Sequence, residues 1–139
     1  MSQKPVITVE DITKTALEAR RPGCEKGMLH EDAPAQTAVY RVQPGSGVPT
    51  HQHERVYDLF IGVKGNIEIR YEGQHGDGVF VLKPGAFCRI PPGVRHELSN
   101  PSKTDETVFL LVQASQEGFD YVPVPFRTIE AALPFSPQS

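Results

Sequence analysis

From about residue 35 onward, the chain is a succession of short apolar runs separated by glycine and proline. The runs are rich in β-branched and aromatic residues and read TAVYRV, VYDLFIGV, NIEIRY, GVFVL, AFCRI and VFLLV. Turn-forming sequences such as Lys64-Gly65-Asn66 lie between them. Strands this short and this evenly spaced favour hairpins over βαβ units. The pattern predicts an all-β sandwich or barrel of antiparallel strands.

The chain on either side of this region has a different texture. Residues Asp11 to Arg20 carry a short apolar stripe and precede an Arg-Pro-Gly sequence, which predicts one short N-terminal helix. The last part of the chain mixes prolines with aromatic and β-branched residues, which predicts an extended tail that needs burial. We divide the 139 residues into an N-terminal extension with the helix, a barrel, and a Pro-rich tail packed on the barrel or on a partner subunit: residues 1–35, 36–113 and 114–139.

Charge and cysteine content exclude several classes of protein. Charged residues make up 22% of the chain and the net charge is -3, so no basic surface is available for nucleic acid or an anionic membrane. The N-terminus lacks the apolar core of a signal peptide, and the longest apolar run, Val108 to Val112, is far too short to span a bilayer. Cys24 and Cys88 fit neither a disulfide scaffold nor a thiolate metal site. We expect a cytoplasmic protein that binds neither nucleic acid nor membrane.

Three histidines and one aspartate form the strongest candidate site. His51 and His53 lie two apart in a predicted strand, so both side chains point to one face about 6–7 Å apart and can converge on one ion. Asp58 opens the next strand and can bring a carboxylate to the same place, and His96 follows a Pro-Pro-Gly turn. Three neutral imidazoles and a carboxylate suit a divalent metal and leave positions open for water or substrate. The other two histidines are interpreted as ordinary residues: His30 and His75.

The spacing of these residues resembles the two sequence motifs of the cupin superfamily. The spacings of the first family motif are met by Gly45, His51, His53, Asp58 and Gly65. Those of the second are met by Gly85, Pro91, Gly93, His96 and Asn100. The resemblance implies a double-stranded β-helix, or jelly-roll, barrel in which the three motif histidines bind one metal ion.

Asp58 is the one departure from the family pattern, which has Glu at this position, and its side chain is one methylene shorter. The resemblance therefore implies two arrangements. Asp58 binds the metal directly, or the metal has a three-histidine shell and Asp58 acts through water or as a neighbouring hydrogen-bond acceptor. Direct binding lowers the charge of the site, whereas the alternative leaves the ion more Lewis-acidic toward anionic chelating substrates.

Strand alternation predicts which side chains surround the metal. If Asp58 faces inward, Phe60 does too, and an inward His96 makes Leu98 a cavity residue. Phe60 and Leu98 are therefore the predicted substrate pocket. The outward side chains of the same strand are apolar and need cover on their second side: Leu59, Ile61 and Val63. A homodimer formed through such faces is the preferred prediction, and cover by the chain's own N-terminal segment is the alternative.

The family resemblance implies a metal-dependent protein and leaves the reaction open. The leading prediction is an enzyme that acts on a small organic molecule as a mononuclear Fe(II) dioxygenase. A non-redox isomerase, cyclase or lyase is the second prediction, and a small-molecule binding module without turnover is the third. The predicted cofactor is one divalent ion, Fe, Mn, Ni or Zn, and no catalytic residue is assigned. The side chains considered for a substrate carboxylate, each also interpretable as a surface residue, are Arg41, Arg55, Tyr57, Arg70 and Arg89, and those considered as a base are Glu54 and Tyr57.

Overall fold

Two antiparallel β-sheets face each other in the computed structural model, which describes residues 6–32, 34–74, 76–115 and 117–127. The six-stranded sheet runs in the order β1 (Glu18–Arg21), β2 (Cys24–Asp32), β3 (Ala35–Val42), β10 (Thr107–Ala114), β5 (Tyr57–Lys64) and β8 (Phe87–Ile90). The five-stranded sheet runs in the order β11 (Val122–Pro123), β4 (Gly47–Gln52), β9 (Arg95–Ser99), β6 (Ile67–Gly73) and β7 (Gly76–Leu82). From β3 onward the chain crosses repeatedly between the sheets, as in a jelly roll. The all-β jelly-roll prediction is confirmed.

The core lies between the two sheets. Side chains from both sheets meet there, and the largest include Phe60 and Phe109 of the six-stranded sheet and Ile67, Ile69 and Leu98 of the other, each at most 2% exposed. The rings of Phe60 and Phe109 pack edge to face with centroids 5.6 Å apart. The runs predicted as strands supply this core because alternate residues of each strand point inward.

The alternation is clearest on β5. Asp58, Phe60 and Gly62 are buried, whereas the intervening Leu59 and Ile61 are partly exposed. The inward direction predicted for Asp58 and Phe60 is confirmed. A Cβ atom at Gly62 would lie 2.1 Å from a backbone carbonyl oxygen of the turn before β8, so only glycine fits where that turn closes against β5.

The predicted helix over Asp11 to Arg20 is wrong. The described residues contain no helix, and the end of this stretch forms β1, which pairs antiparallel with β2. The Asp11 carboxylate accepts hydrogen bonds from the Thr13 amide at 3.0 Å and the Thr13 hydroxyl at 2.6 Å. The Lys14 amide donates to the Asp11 carbonyl at 2.9 Å. These local bonds stabilise a turn in competition with a helix, and pairing with β2 outweighs a weak helical propensity.

The C-terminal segment lies against the chain's own barrel over residues 117–127. β11 pairs with β4, with Val122 opposite Gln52 and Pro123 opposite His51. Residues 128–139 of the predicted tail lie outside the described residues, as does His75. The pairing brings this segment next to the first of the two histidine motifs.

Three smaller sequence expectations concern the rest of the surface. His30 is exposed on β2, as expected for an ordinary surface residue. Cys24 and Cys88 are both free thiols. In the described part of the chain, no helix has the length and apolar character needed to cross a membrane.

Candidate metal centre

The four predicted ligands meet in the interior between the sheets. His51 lies on β4, His53 directly follows it, Asp58 lies on β5 and His96 on β9. One potential ligand atom from each lies within 4.8 Å of the others, and each side chain is at most 4% exposed. His51 and His96 are opposite each other on paired strands, while Asp58 reaches the cluster from the other sheet. The two sheets together therefore assemble a buried site that can hold one ion.

Each imidazole is fixed through its Nδ1 atom by a backbone carbonyl. The Nδ1 atoms of His51 and His96 lie 2.8 and 2.9 Å from the carbonyl oxygen two residues earlier in the chain. The Nδ1 atom of His53 makes a hydrogen bond to the Asp120 carbonyl oxygen. A carbonyl oxygen only accepts hydrogen bonds, so each Nδ1 atom carries a proton. The lone pair of a neutral imidazole is then left on Nε2, free to bind a metal.

Asp58 brings a negative charge to these nitrogen atoms. Its Oδ2 atom lies 2.9 Å from Nε2 of His53 and 3.2 Å from Nε2 of His96. Lone pairs on both sides of such short contacts repel, so the cluster needs protons or a metal ion between them. The Nε2 atom of His53 is buried, and within the described residues it makes no hydrogen bond with acceptable geometry. The donor set fits a divalent ion, and the shorter Asp58 side chain does reach the cluster.

In the absence of an ion, the same contacts shift the proton affinities of the cluster in opposite directions. Burial, together with the neighbouring His96, lowers the pKa of His51 to about 3. Burial opposes the charged form of His53, but the Asp58 carboxylate outweighs it and raises the His53 pKa. Burial alone would raise the pKa of Asp58, yet the adjacent imidazoles of His53 and His96 hold it well below its usual range. In the metal-free cluster, Asp58 is therefore anionic and favours a proton on the neighbouring His53, and a metal ion would displace this proton.

Two glutamines fix Asp58 from the side away from the histidines. The Gln113 side-chain amide donates to Oδ1 of Asp58 at 2.9 Å, and the Gln36 amide donates to Oε1 of Gln113 at 2.7 Å. Gln113 on β10 lies directly opposite both Gln36 on β3 and Asp58 on β5, so the sheet register aligns all three. Oδ1 is thereby occupied and Oδ2 is left to face the histidines. Sequence reasoning missed this relay because only the pairing of three distant strands creates it.

Removal of the glutamine support should weaken metal binding. Gln113→Leu takes away the donor to Oδ1 of Asp58, and we expect the metal affinity to fall by about 10- to 100-fold. Competition with a chelator of known affinity measures this change. Gln43→Leu is the matched control, because the Gln43 amide donates to a carboxylate of Glu106 away from the cluster. An unchanged affinity in Gln113→Leu would mean that Asp58 is held in place without the glutamine.

The C-terminal segment forms part of the site. Besides the hydrogen bond from His53 to its carbonyl, Asp120 accepts through its carboxylate from the backbone amides of Glu54 at 2.6 Å and Arg55 at 3.1 Å. The Tyr121 ring stacks on His51 with ring centroids 4.5 Å apart. The prolines and aromatic residues of the tail indicated a need for burial, but nothing in their pattern indicated contact with the ligands.

The cluster opens into a cavity of about 310 Å³. The predicted pocket residues Phe60 and Leu98 both line this cavity, together with Phe109 and Leu111. A larger cavity of about 740 Å³ elsewhere on the barrel contains none of the four candidate ligands. We place the site in the smaller cavity, because it is there that metal-ligating side chains converge.

The side chains considered for binding a carboxylate or acting as a base lie elsewhere. Arg41 lies 3.8 Å from a carboxylate oxygen of Glu25 and 3.6 Å from one of Glu106, and Glu54 and Tyr57 are exposed. None of the side chains considered for binding a carboxylate or acting as a base lines the cavity that holds the cluster. The cations that do line it come from β1 and β2: Arg20, Arg21 and Lys26. Arg20 and Arg21 are visible in the sequence as an arginine doublet, which lies where the predicted helix ends.

Comparison with known proteins places this geometry in a family. A family model described as cupin domain matches residues 38–113, and no curated protein matches the chain in sequence. The structure of KdgF from Halomonas sp. is 17% identical over 74% of this chain and 90% of that one, with a TM-score of 0.65. An oxalate oxidase is 23% identical over 85% of this chain and 63% of that one, with a TM-score of 0.68. A formate complex of Lactobacillus farciminis oxalate decarboxylase is 14% identical over 81% of this chain and 34% of that one, with a TM-score of 0.68.

At these identities the structural likenesses establish the fold. The family match spans more than half of the chain and includes both histidine motifs. The structure has two facing sheets, and the four clustered side chains come from the two motifs. The chain belongs to the cupin domain family.

Proposed function

We propose that this cupin is a metal-dependent enzyme that acts on a small organic molecule. The observation that carries the proposal is the buried cluster in the wall of a cavity lined by both apolar and charged side chains. In this proposal His51, His53 and His96 hold one divalent ion through Nε2, and Oδ2 of Asp58 is the fourth ligand. Four protein ligands leave positions open for a substrate at an octahedral centre.

The leading candidate reaction is dioxygenation at a mononuclear iron(II) centre. A bound iron(II) ion supplies a Lewis acid for a chelating substrate and electrons for reaction with O₂. Phe60 and Leu98 exclude water from the inner wall of the cavity, and Tyr121 covers His51. Burial raises the pKa of Tyr121, so its hydroxyl stays protonated at neutral pH and can donate a hydrogen bond to a bound anion.

Non-redox chemistry is the second candidate function. The same ligand set suits Mn, Ni or Zn, which would polarise a substrate carbonyl for an isomerase, cyclase or lyase. Among the structural neighbours, one is named an oxidase and another a decarboxylase, and this diversity supports keeping both reaction types. A binding module without turnover is the third candidate.

Metal analysis and O₂ uptake distinguish these functions. We expect plasma mass spectrometry of the purified protein to find about one Fe, Mn, Ni or Zn ion per chain. Chelator-stripped protein is then loaded with each metal in turn, and O₂ uptake and product formation are followed with small enolisable and aromatic compounds. Iron with O₂ uptake supports the dioxygenase, whereas turnover without O₂ uptake on another metal supports the non-redox enzyme. Failure to bind any metal after reconstitution contradicts both and leaves the binding module.

We also propose that two copies of the chain pair through the outer face of the six-stranded sheet. The apolar side chains on this face are partly exposed, among them Leu59, Ile61, Leu110 and Val112. Pairing would remove this apolar area from water. A sedimentation mass equal to one chain of 15.3 kDa at micromolar concentrations would contradict the dimer.

A further inference from the structure

We propose that the substrate is a small organic anion that is bound at both ends. One end chelates the metal, and the other carries a carboxylate or phosphate that binds to Arg20, Arg21 and Lys26, three cations that line the same cavity. This proposal deepens the proposed function and rests on it for the chelating end alone. The cationic wall formed by Arg20, Arg21 and Lys26 is argued from the positions of those side chains.

A β-bulge directs two consecutive arginines to one cavity. Neighbouring residues of a regular strand point to opposite faces, so Arg20 and Arg21 would not normally share a surface. The register between β1 and β2 shifts between Ala19 and Arg21, which makes Arg20 an extra residue in β1. Both arginines consequently line the cavity, and Lys26 joins them from β2. Bulges commonly re-aim side chains in this way beside functional sites.

The three cations form no close ion pair among the described residues, although the charges of Glu31 and Asp58 act on Lys26 from farther away. In the described residues, no ion pair with a nitrogen–oxygen distance of 4.0 Å or less includes Arg20, Arg21 or Lys26. The Arg21 guanidinium lies 3.9 Å from the Cys24 sulfur, and the Lys26 ammonium lies 5.6 Å from the centre of the Tyr40 ring. Burial and the Arg20 charge lower the pKa of Lys26. An anion bound between these side chains would relieve their mutual repulsion.

The net charge of the cavity favours an anion. Its lining contains three cations and two carboxylates, those of Asp58 and Asp120, so three positive and two negative charges leave +1 when the histidines are neutral. A divalent ion raises this to +3. Asp58 is engaged with the imidazoles, and Asp120 with the backbone amides of two residues after β4, so neither neutralises the arginines. Attraction between charges in a partly enclosed site is screened less by salt than at an open surface.

A row of ring contacts leads from the cationic wall to the cluster of histidine and aspartate side chains. From Lys26 over Tyr40, the row continues to Phe109, with ring centroids 5.1 Å apart, to Phe60 at 5.6 Å and to His96 at 6.4 Å. A ligand that spans the two polar ends would therefore lie along an aromatic surface. The cavity volume of about 310 Å³ is at the lower end of the range of about 300–1,000 Å³ for ligand pockets. A compact molecule with a short carbon skeleton between its two ends fits these dimensions.

Three probe molecules test the anion preference directly. Malate, 2-hydroxybutanoate and 3-phosphoglycerate share the chelating 2-hydroxycarboxylate, but their other ends are a carboxylate, a methyl group and a phosphate. We expect titration calorimetry of the zinc-loaded protein to give malate or 3-phosphoglycerate at least about tenfold tighter binding than 2-hydroxybutanoate. The tighter of the two identifies the anion as carboxylate or phosphate. Equal binding of all three probes would overturn the proposal.

Substitutions then assign the preference to the cationic wall. Arg20→Gln, Arg21→Gln and Lys26→Gln should each reduce the preference for the probe with a second anionic group several-fold, with a smaller effect on the binding of 2-hydroxybutanoate. Arg89→Gln is the matched control, because Arg89 is exposed and lines the other cavity. Thermal melts check folding, and Arg20→Gln, at an exposed position, carries the test if the other two variants are unstable. A preference retained in all three variants overturns the assignment.

Metal content measured in the same samples separates this proposal from the proposed function. Retained metal with no anion preference contradicts the anion site alone, whereas absence of metal contradicts the proposed enzyme. The probe comparison is repeated on chelator-treated protein, where the cationic wall should still favour the two probes that carry a second anionic group. Equal binding of the probes there as well as in the zinc-loaded protein would overturn the anion site whatever the outcome for the metal.

Discussion

His51→Ala combined with His53→Ala should abolish metal binding while the barrel remains folded. The double substitution leaves two of the four candidate ligands, and we expect metal affinity to fall by about four orders of magnitude or more. The fold should survive because its core consists of Phe60, Phe109 and the isoleucines of β6, which the substitution leaves in place. Elemental analysis measures the metal, and circular dichroism measures the fold.

Two further variants make this result specific. His96→Ala removes the ligand supplied by the second motif and should also release the metal. His30→Ala changes an exposed histidine on β2 and should retain it. Stoichiometric metal in the folded double variant would rule out the assignment of His51 and His53 as ligands.

The metal-free protein should lose stability on acidification because of His51. The pKa of His51 is about 3 in the folded chain, against about 6.5 for an exposed imidazole. Between these values the unfolded chain binds a proton that the folded chain does not, so the free energy of unfolding falls as the pH falls. The limiting slope is about 1.4 kcal/mol per pH unit. We expect a loss of roughly 2 kcal/mol between pH 6.5 and pH 4.5.

The shifted pKa values of His53 and Asp58 do not reverse this sign. The pKa of His53 is raised, so its stabilising contribution is complete below the unfolded pKa of about 6.5 and is lost only as the pH rises through the folded value. The pKa of Asp58 is lowered, so its contribution is present above about pH 4 and is lost as the pH falls toward the folded value. His51 therefore dominates the window between pH 6 and pH 4.5.

Urea denaturation of chelator-treated protein across this pH range measures the slope. His51→Gln replaces the imidazole by a neutral group that does not titrate and should remove most of the acid-side loss. His30→Gln should leave the slope as it is, because His30 is exposed. The same slope in His51→Gln and in the unsubstituted protein would assign the loss to other groups.

Local sequence patterns predicted the strands β3, β5, β6, β7, β8 and β10, and together with the family motifs they predicted the four clustered side chains. The i, i+2 spacing of His51 and His53 and the alternation along β5 depend only on neighbouring residues, and both were correct. The motif spacing added His96, which lies on a different strand. The convergence of such side chains can be predicted because a strand fixes the direction of its own side chains.

Two of the missed features, the Gln113 support and the Asp120 contact, depend on contacts between distant parts of the chain, whereas the bulge belongs to the local hairpin of β1 and β2. Gln113 supports Asp58 only because β10 pairs with both β3 and β5. Arg20 faces the cavity because of a bulge, which no sequence period indicates. The stretch before it was predicted as a helix, since its apolar stripe gave no sign of pairing with β2. Asp120 contacts His53 through a backbone carbonyl, and a backbone contact leaves little trace in residue type.

Segments near both ends of the chain contribute to a cavity whose histidine and aspartate cluster belongs to the middle. Residues 38–113, the extent of the family match, include all four clustered side chains, whereas the arginine doublet and Tyr121 lie outside that span. In the proposed enzyme, the side chains that would bind the ion therefore lie in the matched span together with the pocket residues Phe60 and Leu98, whereas the cationic wall lies outside it. In the proposed enzyme, substitution of the arginine doublet would change which anions are accepted without altering the ligands, whereas the C-terminal segment also holds His53 in place.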